Sequence, residues 1–360
     1  MEKRSIKLDF LKTIAIIGVC YCHYGHFGVN TMDTSIKGGI KIIIQLFACT
    51  AVPIFFCING YLSLEKNYSY KKVLHKAREL LVKMMFWIPI TAILYAAINE
   101  EKILKFDLLL YRCWNWQGNG VQHLWFLFAL LIIYLLYPFL NMLYRMEDPK
   151  IKWFYYILGI IFTFGNSSIN LAANIISYYL NREVVYYTDK NFFHGPNFLY
   201  GWYSWCIVYF ILGCWLIKTK FSKKHMMVAS FLVVFISCGY VWLCHTMSYY
   251  TGKERYYVFF NGYNQIFMLI LVMAIFVLSS GIHIPLKMQK ILEITGGNTL
   301  GVLFFHRIWG EIFLKTFSNY GIDIRLGGVR YGIMGAMLTW FFSLVSALLM
   351  KRVKVLKKFL

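Results

Sequence analysis

Long apolar runs separated by short polar segments follow one another along the whole chain. A helix needs about 20 predominantly apolar residues to cross a bilayer, and each run is near that length. Backbone polar groups in lipid must be satisfied within the segment itself, so such runs are expected to be helical. The sequence therefore predicts an all-α polytopic membrane protein with about ten transmembrane helices. The ten predicted spans are 9–28, 40–63, 81–98, 123–144, 153–172, 199–217, 226–246, 262–280, 297–317 and 328–350.

The fifth predicted span, 153–172, has the least apolar pattern of the ten. Its end reads FGNSSINLAANIISYY, which is rich in Asn and Ser. Non-helical backbone at membrane depth is tolerated only where protein or a water-filled cavity surrounds it. This pattern indicates a broken helix or a loop packed on protein.

Lysines and arginines are concentrated in alternate segments between the spans, and they account for the net charge of +21. Segments rich in Lys and Arg remain in the cytosol, and their positions predict that both termini are on the cytosolic side. The charge is therefore explained by membrane topology and by contact with anionic lipid, and no nucleic-acid partner is expected. We expect one integral domain, 1–360, in the cytoplasmic membrane. The first apolar run is expected to be a membrane span and not a cleaved signal peptide. The main basic segments are 65–83, 218–225 and 351–360.

The nine cysteines lie inside apolar spans, with the exception of Cys113. An odd number of cysteines in such positions favours buried thiols over a disulfide framework. Cys20 and Cys22 are close to His23 and His26, but this spacing matches no standard zinc pattern. No metal site is expected.

The first span, DFLKTIAIIGVCYCHYGH, carries charged and imidazole side chains along one helical face. Lys12 and His23 are 11 residues apart, so in a helix their side chains point to nearly the same face. Asp9 and His26 fall on that face too. Charged residues inside a membrane are costly and usually face a bundle interior or a water-filled cavity. The stripe therefore indicates a functional site.

His23 is a candidate general base, because an imidazole with a pKa near neutrality can take a proton from a hydroxyl. The structural alternative stays open at this point. Polar side chains in membranes also hydrogen-bond across helices and hold them together.

Three further motifs contain candidate site residues. VPIFFCINGY ends the second span with Asn59 and Gly60, where glycine permits close helix approach or a break. HLWFL begins the fourth span and is expected to place its polar residues at the level of His23. ITGGNTLGVLFFHRIWGE contains an arginine and a glutamate four residues apart, which can pair. The residues concerned are His123, Trp125, His306, Arg307 and Glu311.

Two outer segments, 112–123 and 181–198, mix Trp, Tyr, Asn, Gln and His. This composition suits a carbohydrate-binding surface. It suits an aromatic belt at the membrane interface equally well.

Taken together, the four motifs resemble those of the membrane acyltransferase-3 family. LDFLKTIAIIGVCYCH is similar to the family's LDxLR-x10-H signature, with Lys12 in place of arginine, so the charge is kept and bidentate hydrogen bonding is lost. PIFFCINGYL resembles PxFFxxSGF with Asn59 in place of serine, HLWFL resembles HLWF/Y, and NTLGVLFFH resembles SYxIYLxH. The family's paired arginines are not reproduced, and the nearest candidates are Lys76, Arg78 and Lys83.

The resemblance implies a membrane-bound O-acyltransferase that passes an acyl group from cytosolic acyl-CoA to a hydroxyl of an extracytoplasmic bacterial glycan. Acyl-CoA is the co-substrate, with no bound cofactor, and acetyl is the expected acyl group, with succinyl left open. His23 would be the catalytic base with Lys12 and Asp9, and basic residues of the first cytosolic loop would hold the CoA phosphates. Asn59, His123 or Trp125 would orient the acceptor or stabilise the oxyanion. The expected supporting residues are His26, His306, Arg307 and Glu311.

Many members of this family carry a soluble esterase-like domain after the helices, and none is expected here. The acyl group would then go directly to a membrane-proximal glycan or to a separate esterase-like protein. A carrier for an amino acid or another small solute is the alternative function, because the polar stripe would also suit proton-coupled transport. A purely structural subunit of an export complex is a third possibility, which tolerance of substitution along the stripe would favour.

Overall fold

The structure is a computed structural model that describes residues 4–25, 29–99, 121–180, 204–252, 254, 263–322 and 328–360. These residues form fourteen α-helices and no strand, which confirms the all-α prediction. The helices are α1 (Ile6–Tyr24), α2 (Ile36–Cys49), α3 (Ala51–Leu64), α4 (Tyr70–Ile98), α5 (Trp125–Leu135), α6 (Tyr137–Arg145), α7 (Pro149–Ile160), α8 (Asn166–Tyr179), α9 (Trp205–Lys218), α10 (Lys223–Thr251), α11 (Ile266–Ser280), α12 (Leu286–Gly296), α13 (Thr299–Asn319) and α14 (Gly328–Arg352).

Within the described residues, each of the ten predicted spans overlaps one of these helices or two consecutive ones. By length and apolar composition, four helical segments among the described residues are able to cross a membrane, or up to six if two bent pairs each count as one span. The four are Ile36–Leu64, Tyr70–Ile98, Lys223–Tyr250 and Val329–Arg352. These segments indicate a membrane protein, while the count of ten and the inside position of both termini stay predictions.

Prolines explain two interruptions that the hydropathy pattern did not show. α2 and α3 meet at Thr50, three residues before Pro53, which has no N–H to donate to the Cys49 carbonyl. α5 and α6 meet at Leu136, and Pro138 likewise cannot donate to the Tyr134 carbonyl. The predicted spans 40–63 and 123–144 are therefore each formed by two helices.

The fifth predicted span is a broken helix, which was one of its two expected forms. α7 is followed by a π-helical turn, Ile161–Gly165, and then by α8. The two helical parts are bent by 44°. π-helical turns and inserted polar side chains are established causes of such bends. Here the Thr163 hydroxyl donates to the Gly159 carbonyl at 2.6 Å.

The helices divide into two compact units. The first contains Met1–Gly28, Tyr68–Pro138 and His283–Leu360, and the second contains Val29–Asn67 and Phe139–Ile282. In the first unit, α13 packs against α1, α4 and α14, and α1 packs against α12, α13 and α14. In the second unit, the closest pair is α3 with α9.

Hydrogen bonds from Arg4 hold the start of α1 against α12, a short helix that lies between two predicted spans. Asp9 is 2% exposed, and its carboxylate accepts a hydrogen bond from the Arg4 guanidinium. The same guanidinium donates to the Glu293 carbonyl at the end of α12. Gly296 leaves space for Asp9, because a Cβ at this glycine would lie 2.7 Å from Asp9 Oδ1. Arg4 therefore connects the two helices.

Two glycines bring α3 and α9 into direct backbone contact. A Cβ added to Gly60 would overlap the Phe210 carbonyl, and one added to Gly213 would overlap the Cys57 carbonyl. Of the two roles predicted for glycine at Gly60, close helix approach is confirmed, and α3 continues through this residue to Leu64.

Eight of the nine cysteines are described, and none of these eight forms a disulfide. Six are buried, as predicted, while Cys22 is half-buried and Cys238 is exposed. Cys113, most of the segment 112–123 and all of the segment 181–198 lie outside the described residues. Their predicted roles are not addressed by the structure.

We predict that Gly60→Ala lowers the free energy of unfolding by about 1–3 kcal/mol, because the added methyl group forces α3 and α9 apart. Gly239→Ala is the matched control, since no atom lies within 4 Å of its added Cβ. The control should be neutral or slightly stabilising, by up to about 1 kcal/mol. Thermal unfolding in detergent, followed with a dye that reacts with newly exposed thiols, measures both. Equal stability of the two variants would contradict the close packing.

We predict that Arg4→Ala costs about 1–3 kcal/mol of stability, because the buried Asp9 carboxylate loses its main hydrogen-bond donor. In an Asp9→Asn background the same Arg4 substitution should cost clearly less, because no carboxylate is left unpaired. The double-mutant cycle is measured by the same unfolding assay. Additive effects of the two substitutions would contradict the proposed contact.

Candidate active site

Three histidines from distant parts of the sequence meet in the first unit. His23 lies in the last turn of α1, His123 in a 3₁₀ turn (Gln122–Leu124) before α5, and His306 within α13. The ring centroid of His306 is 5.1 Å from that of His23 and 5.0 Å from that of His123. We call these three residues the histidine cluster. The prediction that His123 lies near the level of His23 is consistent with this geometry.

The members of the cluster differ in exposure. His23 is half-buried, His123 is 3% exposed and His306 is 0% exposed. His306 Nδ1 lies 2.7 Å from the Leu303 carbonyl oxygen, one turn earlier in α13. His23 is therefore the imidazole most accessible to a substrate, while His306 forms the back of the site.

An ion pair lies next to the cluster. Arg307 and Glu311, four residues apart on α13, are 3.3 Å from each other, which confirms their predicted pairing. The Tyr24 hydroxyl donates to the Arg307 carbonyl at 2.9 Å and lies 3.3 Å from Glu311 Oε1. Gly310 makes this possible, because a Cβ there would overlap the Tyr24 ring. The residue that follows His23 is thereby fixed to α13.

Two aromatic rings complete the surroundings of Arg307. Its guanidinium carbon is 5.2 Å from the centre of the Tyr95 ring and 5.8 Å from that of Tyr24. Cation–π contacts of this kind stabilise a cation that is removed from water. Sequence reasoning missed Tyr24 and Tyr95. Tyr24 could have been suspected from its position beside His23, whereas nothing in the sequence distinguishes Tyr95.

Asp9 and Lys12 lie near the other end of α1. Lys12 Nζ is 3.9 Å from Asp9 Oδ1, and the Lys12 side chain is 22% exposed. His23 follows Lys12 by 11 residues, or roughly 16 Å along a helix axis. The structure therefore brings Asp9 and Lys12 together with Arg4 and not with the histidine cluster.

The three residues predicted for the CoA phosphates lie on two sides of α4. Lys76 Nζ is 4.2 Å from the centre of the Tyr68 ring, and Lys83 Nζ donates to the Leu360 carbonyl at 2.6 Å. These two lysines are seven residues apart and share a helical face. Arg78 is exposed and, two residues from Lys76, points to the opposite side of the helix. The structure therefore groups Lys76 with Lys83 and leaves Arg78 apart.

Of the three remaining candidate residues, two lie within the described part of the chain. Asn59 belongs to the second unit, where its side-chain amide donates to the Phe55 carbonyl at 2.9 Å. Trp125 begins α5, two residues after His123. His26 lies outside the described residues. Among the residues that the structure describes, no group of three His, Cys, Asp or Glu side chains is arranged to hold a metal ion.

The arrangement suits proton transfer in a place with little water. A half-buried imidazole, backed by two buried ones and flanked by a neutralised ion pair, can accept a proton from a hydroxyl. Arg307 and Glu311 carry opposite charges, so this ion pair adds no net charge to the site. The contacts of Tyr24 with α13 would hold the adjacent His23 in position for this proton transfer.

Of the comparisons with known proteins, the one with family models gives a match. A family model named Acyl_transf_3, described as an acyltransferase domain, matches residues 5–350. No curated protein and no solved structure gives a match. The family match extends from the start of α1 into the last turn of α14 and includes all three members of the histidine cluster. The chain therefore belongs to the membrane acyltransferase-3 family.

Proposed function

We propose that this acyltransferase moves an acetyl group from cytosolic acetyl-CoA to a hydroxyl of an extracytoplasmic glycan, with His23 as the general base. The observation that carries the proposal is the meeting of His23, His123 and His306 from three distant segments. A helix-stabilising role for a single histidine would not require three imidazoles side by side. The donor, the acceptor and the base are inferences from this geometry and from the family.

In the proposed reaction, the acceptor oxygen attacks the thioester carbonyl while His23 takes the hydroxyl proton. A carbon–oxygen bond forms, the carbon–sulfur bond breaks, and the CoA thiolate leaves and recovers the proton. His123 and Trp125 are proposed to orient the acceptor or to stabilise the oxyanion, and Asn59 has the same proposed role. Pre-organised donors of this kind are more effective when water is excluded.

The ion pair of Arg307 and Glu311 is proposed to support the base and not to react. Tyr24 connects both residues to the end of α1, directly after His23. A rigid second layer of contacts keeps a catalytic group within a few tenths of an ångström of its working position. His26 is proposed as a further supporting residue.

The acyl-CoA donor is proposed to enter at the end of α1 that carries Asp9 and Lys12. Lys76, Lys83 and Arg78 are proposed to attract the CoA phosphates, with Lys76 and Lys83 acting from one face of α4. The pantetheine arm would then extend along the polar face of α1 to His23. An ammonium attracts phosphate as a point charge, so Lys12 can serve here without the fork geometry of arginine.

The proposed setting is the cytoplasmic membrane of a bacterium. The proposed partners are acyl-CoA, the lipid bilayer and a glycan, with a separate esterase-like protein as a further acyl acceptor. The proposal includes no bound cofactor, no metal and no nucleic acid.

We predict that His23→Ala lowers acetyl-CoA hydrolysis or transfer in lipid discs by about 10²–10⁴-fold, since a positioned general base contributes about that much. His283→Ala is the matched control, because His283 is exposed and lies just before α12. Release of the free CoA thiol measures both variants, and thermal unfolding checks that both are folded. A His23→Ala enzyme with normal turnover would contradict the proposal. Failure of wild type to bind or consume acetyl-CoA would instead favour a carrier.

We predict that Lys76→Ala raises the KM for acetyl-CoA about tenfold with little change in kcat, because a charge-assisted contact of about 1.4 kcal/mol is lost from ground state and transition state alike. The effect should shrink as salt is added. Lys71→Ala is the matched control, because Lys71 is exposed and lies on another side of α4. Equal KM values for the two variants would contradict a phosphate contact at Lys76.

A further inference from the structure

The tautomer of His306 follows from its contact with the backbone. Nδ1 is 2.7 Å from the Leu303 carbonyl oxygen, and a carbonyl oxygen can only accept. Nδ1 must therefore carry the hydrogen. In the neutral ring, Nε2 then has a lone pair and can only accept a hydrogen bond.

The lone pair of His306 Nε2 is buried without a donor. The residue is 0% exposed, and Nε2 makes no hydrogen bond with any group in the part of the chain that the structure describes. A buried acceptor without a donor loses the hydrogen bonds it would make in water, so native proteins rarely leave one without a reason. The rings next to that of His306 are those of His23, His123 and Tyr24, and the Tyr24 hydroxyl already contacts Arg307 and Glu311. The missing donor is therefore expected within the histidine cluster.

This inference rests on the proposed function, in which a hydroxyl approaches His23. That hydroxyl has one proton, and in the proposed reaction the proton goes to His23. A second O–H group is then needed for His306. Neighbouring hydroxyls on a sugar ring are separated by about one hydrogen-bond length, roughly 2.8 Å, which suits two imidazoles whose centres are 5.1 Å apart.

We propose that the acyl acceptor is a vicinal diol, and that His306 Nε2 accepts a hydrogen bond from the hydroxyl next to the one that is acylated. His306 is thus a binding residue that selects the acceptor. The diol donates one proton to His23, where it is transferred, and one to His306, where it stays. An alcohol without the second O–H leaves the His306 lone pair unsatisfied and binds less well.

A pair of small alcohols tests this proposal. The acceptors are cis-1,2-cyclohexanediol and cis-2-methoxycyclohexanol, which have the same ring and differ in one O–H donor. Each is supplied with acetyl-CoA to the enzyme in lipid discs, and ester formation is measured for wild type, His306→Phe and His306→Gln. Phenylalanine fills the space without an acceptor, whereas the glutamine amide oxygen can replace Nε2. Acetyl-CoA hydrolysis without any alcohol is measured in parallel.

Wild type should prefer the diol by about 10–100-fold in kcat/KM, which corresponds to about 1.4–2.7 kcal/mol. The preference should fall to within about twofold in His306→Phe and recover in part in His306→Gln. Both variants should unfold at temperatures near that of wild type in the same discs, which shows that they are folded. A variant that loses only stability would not change the ratio between two alcohols.

Equal rates with the two alcohols in wild type, or no ester with either, would overturn the proposal. The same conclusion follows if His306→Phe keeps the full preference for the diol. If His306 instead binds an amide N–H of the pantetheine arm, its loss will raise the KM for acetyl-CoA equally with both alcohols. Hydrolysis that depends on His23 but shows no diol preference would refute only this inference and leave the proposed function intact.

Discussion

The burial of polar side chains among apolar helices is the constraint on which the first unit depends. A charged or polar group removed from water needs partners, and most of those described here have them. Asp9 has Arg4, and Glu311 has Arg307 and Tyr24. His306 Nε2 is one of the few buried side-chain atoms in the described part of the chain that have no hydrogen-bond partner, and it lies within the candidate active site. A buried acceptor without a donor inside a candidate active site indicates where a ligand can bind.

These contacts also explain how α1 is held. Near its start, the Arg4 guanidinium contacts both Asp9 and the end of α12, and at its end Tyr24 is bonded to α13. Two glycines, Gly296 and Gly310, allow the close approach at each end. A helix fixed at both ends presents His23 in a defined position. The polar stripe of α1 thus has two roles. Asp9 anchors the start of the helix, and His23 has the proposed chemical role.

The sequence was sufficient for the helical class, for the location of the apolar segments and for the pairing of Arg307 with Glu311, because each depends on local spacing. It did not show the helix interruptions near Pro53 and Pro138, since hydropathy averages over single prolines. It placed His306 only among supporting residues. Its proximity to His23 and His123 depends on packing between α1, α13 and the turn before α5, which no local pattern encodes. Tyr95 was missed for the same reason.

The most direct test of the account is whether the enzyme splits acetyl-CoA. Liposomes containing the protein are given acetyl-CoA with separate labels on the acetyl group and on CoA, for wild type and His23→Ala. We expect that wild type releases the free CoA thiol and passes the acetyl label to water or to an added diol, and that His23→Ala does neither. Two labels that stay together, or a His23→Ala protein that separates them as fast as wild type, would contradict it.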